Sequence, residues 1–232
     1  LNGIYALKTD GFINEQDEMK VFYNQQGVSN YLSNFYKGAF YKPGDYKFVD
    51  VNGDGTIGSG DAVYCGSALP IVSGGIVNEF RWKNFDLNML MAYSLGRHIV
   101  NNLSKAVLTN GKYALMTDLN AISFWEKPGD HPDYPKLESD RMNSMWSYVD
   151  RDVEKVNYLK LKTLTVGYSF PKKWSRKAGI DELRVFVSGE NLFTWTNYSG
   201  LDPETVDITS GFDLMSNYPL ARKYTLGLTL KF

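Results

Sequence analysis

The chain has 232 residues, with 25 Lys and Arg against 26 Asp and Glu, one Cys and two His. A formal net charge of -1 predicts no nucleic-acid partner, and the single Cys65 excludes an intrachain disulfide framework or a thiolate-rich zinc site. Aromatic residues make up 15% of the chain, which favours sheets with one apolar and one polar face over a helical bundle.

Residues 1–8 show weak apolar alternation and predict a first strand. They carry neither an initiator Met nor a signal-peptide pattern, so we expect either a processed protein or a fragment. No apolar run in the chain approaches the ~20 residues that a membrane helix requires. A membrane barrel is still possible, because barrel strands alternate apolar and polar residues and never form such runs.

The loop DVNGDGTIGSGD at residues 50–61 has the spacing of a calcium-binding loop within a longer connection, which would be extracellular in a membrane barrel. The oxygen ligands at loop positions 1, 3, 5, 7 and 12 would come from Asp50, Asn52, Asp54, the carbonyl of Thr56, and Asp61. The alternative is an Asn/Asp/Gly-rich turn whose side chains cap its own backbone. We expect a bound Ca2+ to stiffen this loop and to have no catalytic role.

Alternation with a period of two returns at residues 75–82 and 85–95, with only Lys83 and Asn84 between them. The pattern predicts two strands joined by a tight hairpin turn. Further strands are predicted at 163–170 and 183–190, joined by a compact polar stretch. Lumen-facing polar positions on these strands would be Asp86, Asn88, Arg184, Ser188 and Glu190.

The last strand, at residues 222–232, shows the clearest alternation. Its apolar face consists of Tyr224, Leu226, Leu228, Leu230 and Phe232. The whole chain thus predicts about six strands of roughly 9–12 residues, the length of tilted membrane strands. Short turns alternate with long loops, which is typical of an outer-membrane barrel. A soluble β-sandwich, with the apolar faces turned into a core, is the alternative.

Several segments resemble one family. The resemblance is carried by VNYLKLKTLTVGYSFPKKW at 156–174, LRVFVSGENLFTWTNYSGLDPE at 183–204, YPLARKYTLGLTLKF at 218–232, PGDYKFVDVNGDGTI at 43–57 and, more loosely, FWEKPGDHPDYPKL at 124–137. These segments resemble the C-terminal part of the SusC/RagA-like TonB-dependent outer-membrane transporters. The resemblance implies a plugged barrel of about 22 strands. Residues 1–232 would supply roughly its last six antiparallel transmembrane strands, an all-β portion of one barrel domain without the plug, with long extracellular loops that are partly helical.

The same resemblance implies a function. Such a protein imports a nutrient, a glycan or a peptide, across the outer membrane of a Gram-negative bacterium. Its partners would be a SusD-like surface lipoprotein that acts as a lid, and the TonB complex, which acts through the missing N-terminal part. The terminal strand with Phe232 would be a membrane-assembly signal, because the C-terminal aromatic residue of outer-membrane barrels serves in their recognition.

Loop aromatic residues are the candidate ligand contacts, because sugar rings pack on aromatic faces. They include Trp125, Tyr134, Trp146 and Tyr198. Packing within ordered loops is the alternative for each of them. No nucleophile–base set is recognisable around Cys65, His98 and His131, so we expect no enzymatic activity. The rival function is that of a soluble, calcium-stabilised β-sandwich carbohydrate-binding module.

Overall fold

The structure, a computed structural model, describes residues 2–14, 43–54, 57–102, 123–136, 149–213 and 218–232. Their strands are β1 (Gly3–Leu7), β2 (Thr9–Phe12), β3 (Tyr46–Phe48), β4 (Ala62–Ser67), β5 (Val72–Trp82), β6 (Phe85–Asn101), β7 (Val153–Ser169), β8 (Glu182–Thr196), β9 (Phe212–Asp213) and β10 (Lys223–Lys231). The α-helix α1 (Lys172–Ser175) and short 3-10 turns accompany them. No helix in these ranges is long and apolar enough to cross a membrane.

The chain divides into two compact units, which we describe separately. The first consists of residues 1–68, 98–154 and 207–216, and the second of residues 69–97, 155–206 and 217–232.

The second unit is built on a long antiparallel sheet with the strand order β10-β8-β7-β6-β5. The short connections account for two of these pairings, β5 with β6 and β7 with β8, because strands joined by a short connection pair as antiparallel neighbours. Long connections join β6 to β7 and β8 to β10. The predicted strands at 75–82, 85–95, 163–170, 183–190 and 222–232 are therefore confirmed. However, β6 and β7 each have 17 residues and β8 has 15, more than the predicted length. Backbone pairing continues beyond the point where the apolar alternation ends, because a ladder needs no apolar side chains.

The turn between β5 and β6 consists of Lys83 and Asn84, as predicted, with Trp82 paired to Phe85. Lys83 has a φ of 54°, the left-handed conformation that tight hairpin turns require. The next connection is compact and polar, as predicted, and it contains α1 and a 3-10 turn (Arg176–Ala178).

A β-bulge interrupts the pairing of β7 with β8. Leu161 pairs with Phe193 and Thr163 with Glu190, so Asn191 and Leu192 face the single residue between them. Asn191 takes a φ of 52°, which a bulge of this kind needs and Asn tolerates. The extra residue shifts the alternation on β8, so the faces predicted for residues 183–190 do not extend beyond the bulge.

The strand predicted at residues 1–8 is present as β1, but it does not belong to the long sheet. β1 pairs with β4 in a separate two-stranded sheet of the first unit. Its alternation instead reflects a small core, in which Ile4 packs with Ala68 and Val100. The sixth member of the long sheet is the two-residue strand β9, which pairs in parallel with β6.

The first unit has a second core, built around β2 and β3. Its buried residues are Phe12, Tyr46, Phe48, Ile57, Trp125 and Val149. Gly44, at a φ of 92°, lies directly against the Trp125 ring, and a Cβ at this position would clash with that ring. Because the Lys136 backbone amide also donates to the Gly44 carbonyl at 2.9 Å, the chain around Gly44 packs against Trp125 and Lys136.

Candidate functional site

One face of the long sheet is apolar and exposed. Leu226 of β10, Val187 of β8 and Val166 of β7 form a cross-strand row on this face. Their exposed fractions are 76%, 53% and 43%. Apolar side chains in a row three strands wide would be buried in a globular core, so this face is suited to an apolar surrounding.

The opposite face of the sheet carries the polar positions predicted from sequence. Arg184 donates to Asp86, with 2.9 Å between Nε and Oδ1, across the intervening strand β7. The hydroxyl groups of Ser188 and Thr165 lie 2.8 Å apart. Because these groups satisfy one another across three strands, this face can hold charged and polar side chains away from bulk water.

Two other predicted positions on this face are also described. Glu190 lies 3.4 Å from Lys223 of β10, in an exposed ion pair. Asn88 pairs with Glu79 of β5 in the strand ladder.

Small residues shape this polar face. Gly167 and Gly227 pair with Phe186 from either side. The Phe186 ring occupies the space above Gly227, and the Arg184–Asp86 pair occupies the space above Gly167. Both glycines alternate with apolar residues along their strands, but the sequence carries no signal for the side chains that lie over them.

The predicted assembly residues lie on β10 and directly after it. Tyr224, Leu226, Leu228, Leu230 and Phe232 have exposed fractions of 70%, 76%, 59%, 43% and 84%. β10 pairs residue by residue with β8, so its apolar alternation matches that of its neighbour. The role of these residues in membrane assembly stays a prediction.

An ionic cluster that sequence analysis missed joins β7 to the loop after β8. The Lys160 ammonium group is 2% exposed and lies 3.0 Å from Asp202 and 2.7 Å from Glu204. Lys162 forms a second ion pair with Glu204. The sequence shows Asp202 and Glu204 only as two carboxylates close together, because spacing holds no information on how this loop folds. Asp202 is in fact also a cap, since it accepts the Glu204 amide at 3.0 Å.

The same loop is also anchored at Pro203. Arg97, 3% exposed, donates to the Pro203 carbonyl at 3.3 Å, and the Pro203 side chain is fully buried.

Burial alone would raise the pKa of the Glu204 carboxyl, but hydrogen bonds from Lys160 and Lys162 outweigh this effect and hold the pKa below its usual value. The loop is therefore held against the sheet by charge as well as by packing.

The predicted aromatic ligand contacts have differing environments. Trp125 and Tyr198 are buried, at 5% and 6% exposure, and Tyr134 lies beside Phe124 with ring centres 6.0 Å apart. Burial and nearby Asp152 raise the pKa of Tyr134. Trp146 lies outside the described residues. Ligand contact by any of the four stays a prediction, and for Trp125 the described contacts are those of a core residue.

The described residues of the predicted calcium loop, 50–54 and 57–61, form capped turns. Asp50 accepts the Gly53 amide at 2.8 Å, and Asn52 accepts the Asp54 amide at 2.9 Å. Asp61, 1% exposed, accepts the Val51 amide at 2.9 Å with one oxygen and the Gly58 amide at 2.8 Å with the other. Thr56 lies outside the described residues.

Among the predicted calcium ligands, Asp50, Asn52 and Asp61 accept backbone amides of this loop, and Asp54 accepts the side-chain amide of Asn52 at 3.0 Å. Within the described ranges, no three His, Cys, Asp or Glu side chains converge as metal ligands. The Ca2+ site stays a prediction. The ion would have to share the Asp61 oxygens with the backbone amides that Asp61 accepts.

The sequence of this chain is similar to parts of several TonB-dependent receptors. The chain is 32% identical over 201 residues to TonB-dependent receptor P3 of Formosa agariphila, a match that covers 82% of this chain and 19% of the relative. It is 29% identical over 202 residues to TonB-dependent receptor SusC of Bacteroides thetaiotaomicron, covering 82% of this chain and 18% of SusC. The chain is homologous to part of the SusC-type TonB-dependent receptors.

The solved structures agree on the fold. The structure of the RagAB peptide transporter matches with a TM-score of 0.65 at 22% identity, over 99% of this chain and 23% of the matched chain. No protein-family model matches the sequence. The predicted fold, antiparallel strands of a TonB-dependent transporter barrel, is thereby confirmed, although the barrel is not closed by the strands described. The chain spans about a fifth of the length of the curated relatives it matches.

Proposed function

We propose that this chain supplies part of the barrel wall and the extracellular loops of an outer-membrane importer that is driven through TonB. The observation that carries the proposal is the two-faced sheet: the row Leu226, Val187 and Val166 is apolar and exposed, while Arg184 and Asp86 pair on the opposite face. A barrel wall needs such a sheet, because one face meets lipid and the other a polar lumen.

The proposed reaction is transport, without bond formation or cleavage. A nutrient, a glycan or a peptide, would be held by extracellular loops and released inward when energy from TonB rearranges a plug. A surface lipoprotein of the SusD kind would close over the loops. Closed strand pairing satisfies the backbone hydrogen bonds in lipid, which is why a barrel is tolerated there.

A loop held in one conformation supports this role, because a binding surface is more effective when it is preorganised. The loop after β8 has that property, since Lys160 and Arg97 fix it at Asp202 and Pro203. We propose that it is a fixed part of the loop surface. Ca2+ bound by the 50–61 loop would stiffen that loop in turn.

The test is deletion of the gene that encodes this chain, followed by uptake and growth on defined pools of oligosaccharides and of peptides. We expect loss of growth on one pool, recovery on complementation, and co-purification of a surface lipoprotein with the detergent-extracted protein. The rival, a soluble carbohydrate-binding module, predicts extraction in buffer without detergent. Recovery of the protein in the soluble fraction would contradict the proposal.

A further inference from the structure

The connection between β7 and β8 carries a cluster of cations at one end of the long sheet. α1 and the 3-10 turn after it hold Lys172, Lys173, Arg176 and Lys177, and all four are exposed. Arg176 lies 3.5 Å from Asp181, but both partners remain solvated, at 66% and 59% exposure. This concentration of positive charge contrasts with a chain whose formal net charge is -1.

Exposed aromatic rings accompany these cations. Trp174 lies within the cluster and is 61% exposed. Trp82, 57% exposed, ends β5, and the Lys83 ammonium group lies 4.8 Å from the centre of its ring. Tryptophan combined with Lys and Arg is the composition of a surface at the boundary between hydrocarbon and water.

Backbone hydrogen bonds bring these groups to the same end of the sheet. The Ser169 amide donates to the Asn84 carbonyl at 2.8 Å, so the β5–β6 turn lies beside the start of the basic connection. The Asp181 amide donates to the Lys231 carbonyl at 2.8 Å, so the end of β10 lies beside its other end. Phe232 follows there at 84% exposure.

We propose that this basic end, defined by Lys83, Lys172, Lys173, Trp174 and Lys177, binds the head groups of anionic phospholipids. It lies at the short-turn end of strands whose apolar face is exposed, so the surface changes from apolar to aromatic to cationic along the strand direction. Lipid presents the complementary order of acyl chain, interface and phosphate. The inference rests on the proposed function, because it requires that these strands cross a membrane.

The charge complementarity favours lipid over an acidic protein segment. An acidic segment would satisfy the lysines, but it would not explain why Trp82 and Trp174 are exposed beside them. The Lys side chains can extend toward phosphate groups while their aliphatic stems lie over apolar surface. Each cation near an anionic surface strengthens binding by roughly fivefold at low salt.

The test uses the protein expressed at its full length and reconstituted in phosphatidylcholine nanodiscs with and without phosphatidylglycerol. Native mass spectrometry then measures how much phosphatidylglycerol is retained relative to phosphatidylcholine. The test variant is Lys172→Gln with Lys173→Gln. The matched control is Lys127→Gln with Lys155→Gln, two exposed lysines from other segments.

In the Lys172/Lys173 variant, we expect the retention of phosphatidylglycerol relative to phosphatidylcholine to fall at least tenfold, while the control variant retains the wild-type ratio. Added salt should weaken the preference of the wild type. Equal retention of phosphatidylglycerol in both variants would overturn the inference. It would also be overturned if Lys172 and Lys173 were needed for binding of an added acidic protein but not for retention of phosphatidylglycerol. Failure of the proposed function is distinguishable, because the protein would then be extracted without detergent and would not enter nanodiscs at all.

Discussion

Gly167 leaves the space in which the Arg184 guanidinium meets Asp86. The two charged residues lie on β8 and β6, and β7 passes between them. An ion pair can bridge over that strand only where the strand has no side chain, because a Cβ at Gly167 would clash with both partners. The polar face therefore depends on a residue that makes no side-chain contact itself.

The first prediction tests this arrangement. Gly167→Ala should lift the guanidinium from Asp86 and destabilise the protein by about 1–3 kcal/mol, the cost of leaving a hydrogen-bonded charge without its partner. The measurement is equilibrium unfolding by denaturant in lipid vesicles. Gly75→Ala is the control, because a Cβ on this β5 glycine meets no atom closer than 3.4 Å. If the two variants lose equal stability, the bridge over Gly167 has no structural importance.

The second prediction concerns Lys160. Lys160→Ala should cost roughly 3–5 kcal/mol, because it leaves Asp202 and Glu204 without their buried cation. Hydrogen exchange should show loss of protection confined to residues 198–206. The matched control is Lys223→Ala, which removes an exposed ion pair with Glu190 and should cost less than ~1 kcal/mol. Uniform loss of protection over the whole sheet would contradict a local role for Lys160.

The third prediction follows from the pKa of Glu204, which is lowered below the ordinary value of 4.5. A group with a lowered folded-state pKa contributes stability above its unfolded pKa, and this contribution is lost as the pH falls through the folded pKa. The loop should therefore stay protected near neutral pH and open only in acid below about pH 4.5. The measurement is the hydrogen-exchange protection of residues 198–206 as a function of pH. Glu204→Gln should abolish most of the pH dependence, and an unchanged profile would assign the transition to another group.

The sequence predicted the strands and their faces because alternation with a period of two is a local property. Residues 222–232 and 85–95 illustrate this, since every second residue is apolar and the structure places them in paired strands. The alternation at residues 1–8 is equally local, but a small interior core produces the same pattern as a lipid face. The position of β1 therefore could not be predicted from the pattern alone.

The ionic cluster was unpredictable for a different reason. Lys160 and Asp202 are 42 positions apart, and their contact depends on how the loop after β8 folds back onto β7. The bulge at Asn191 depends on a pairing register that no short sequence window contains. Contacts of this kind come from tertiary structure, so composition and spacing could indicate only that charged residues were present.

The fourth prediction separates the two faces of β6. Met89 belongs to the apolar alternation and Asn88 to the polar one, and they are adjacent in the strand. Met89→Arg should cost roughly 2–4 kcal/mol if its side chain lies at mid-depth in the bilayer, while Asn88→Arg should be far milder. Folding titrations into lipid vesicles give the comparison. Equal damage at the two positions would indicate a sheet that is buried on both faces.

The fifth prediction tests Ca2+ binding by the 50–61 loop. Asp54 lies at the exposed tip, where its carboxylate accepts only the side-chain amide of Asn52 among the bonds described above, whereas Asp61 is buried and its oxygens accept backbone amides. If calcium binds, Asp54→Ala should remove one ligand of the ion and leave the backbone amides capped by Asp61 in place. The loop of this variant should then be cleaved by protease even when calcium is present, while the long sheet stays folded. Asp61→Asn is the contrasting variant, because weakening the cap should open the loop with or without the ion. Calcium should protect the wild-type loop from cleavage, and a chelator should reverse that protection. A wild-type loop whose cleavage rate is the same in calcium and in chelator would show that the caps alone hold it, and Asp54→Ala would then have no calcium-dependent effect.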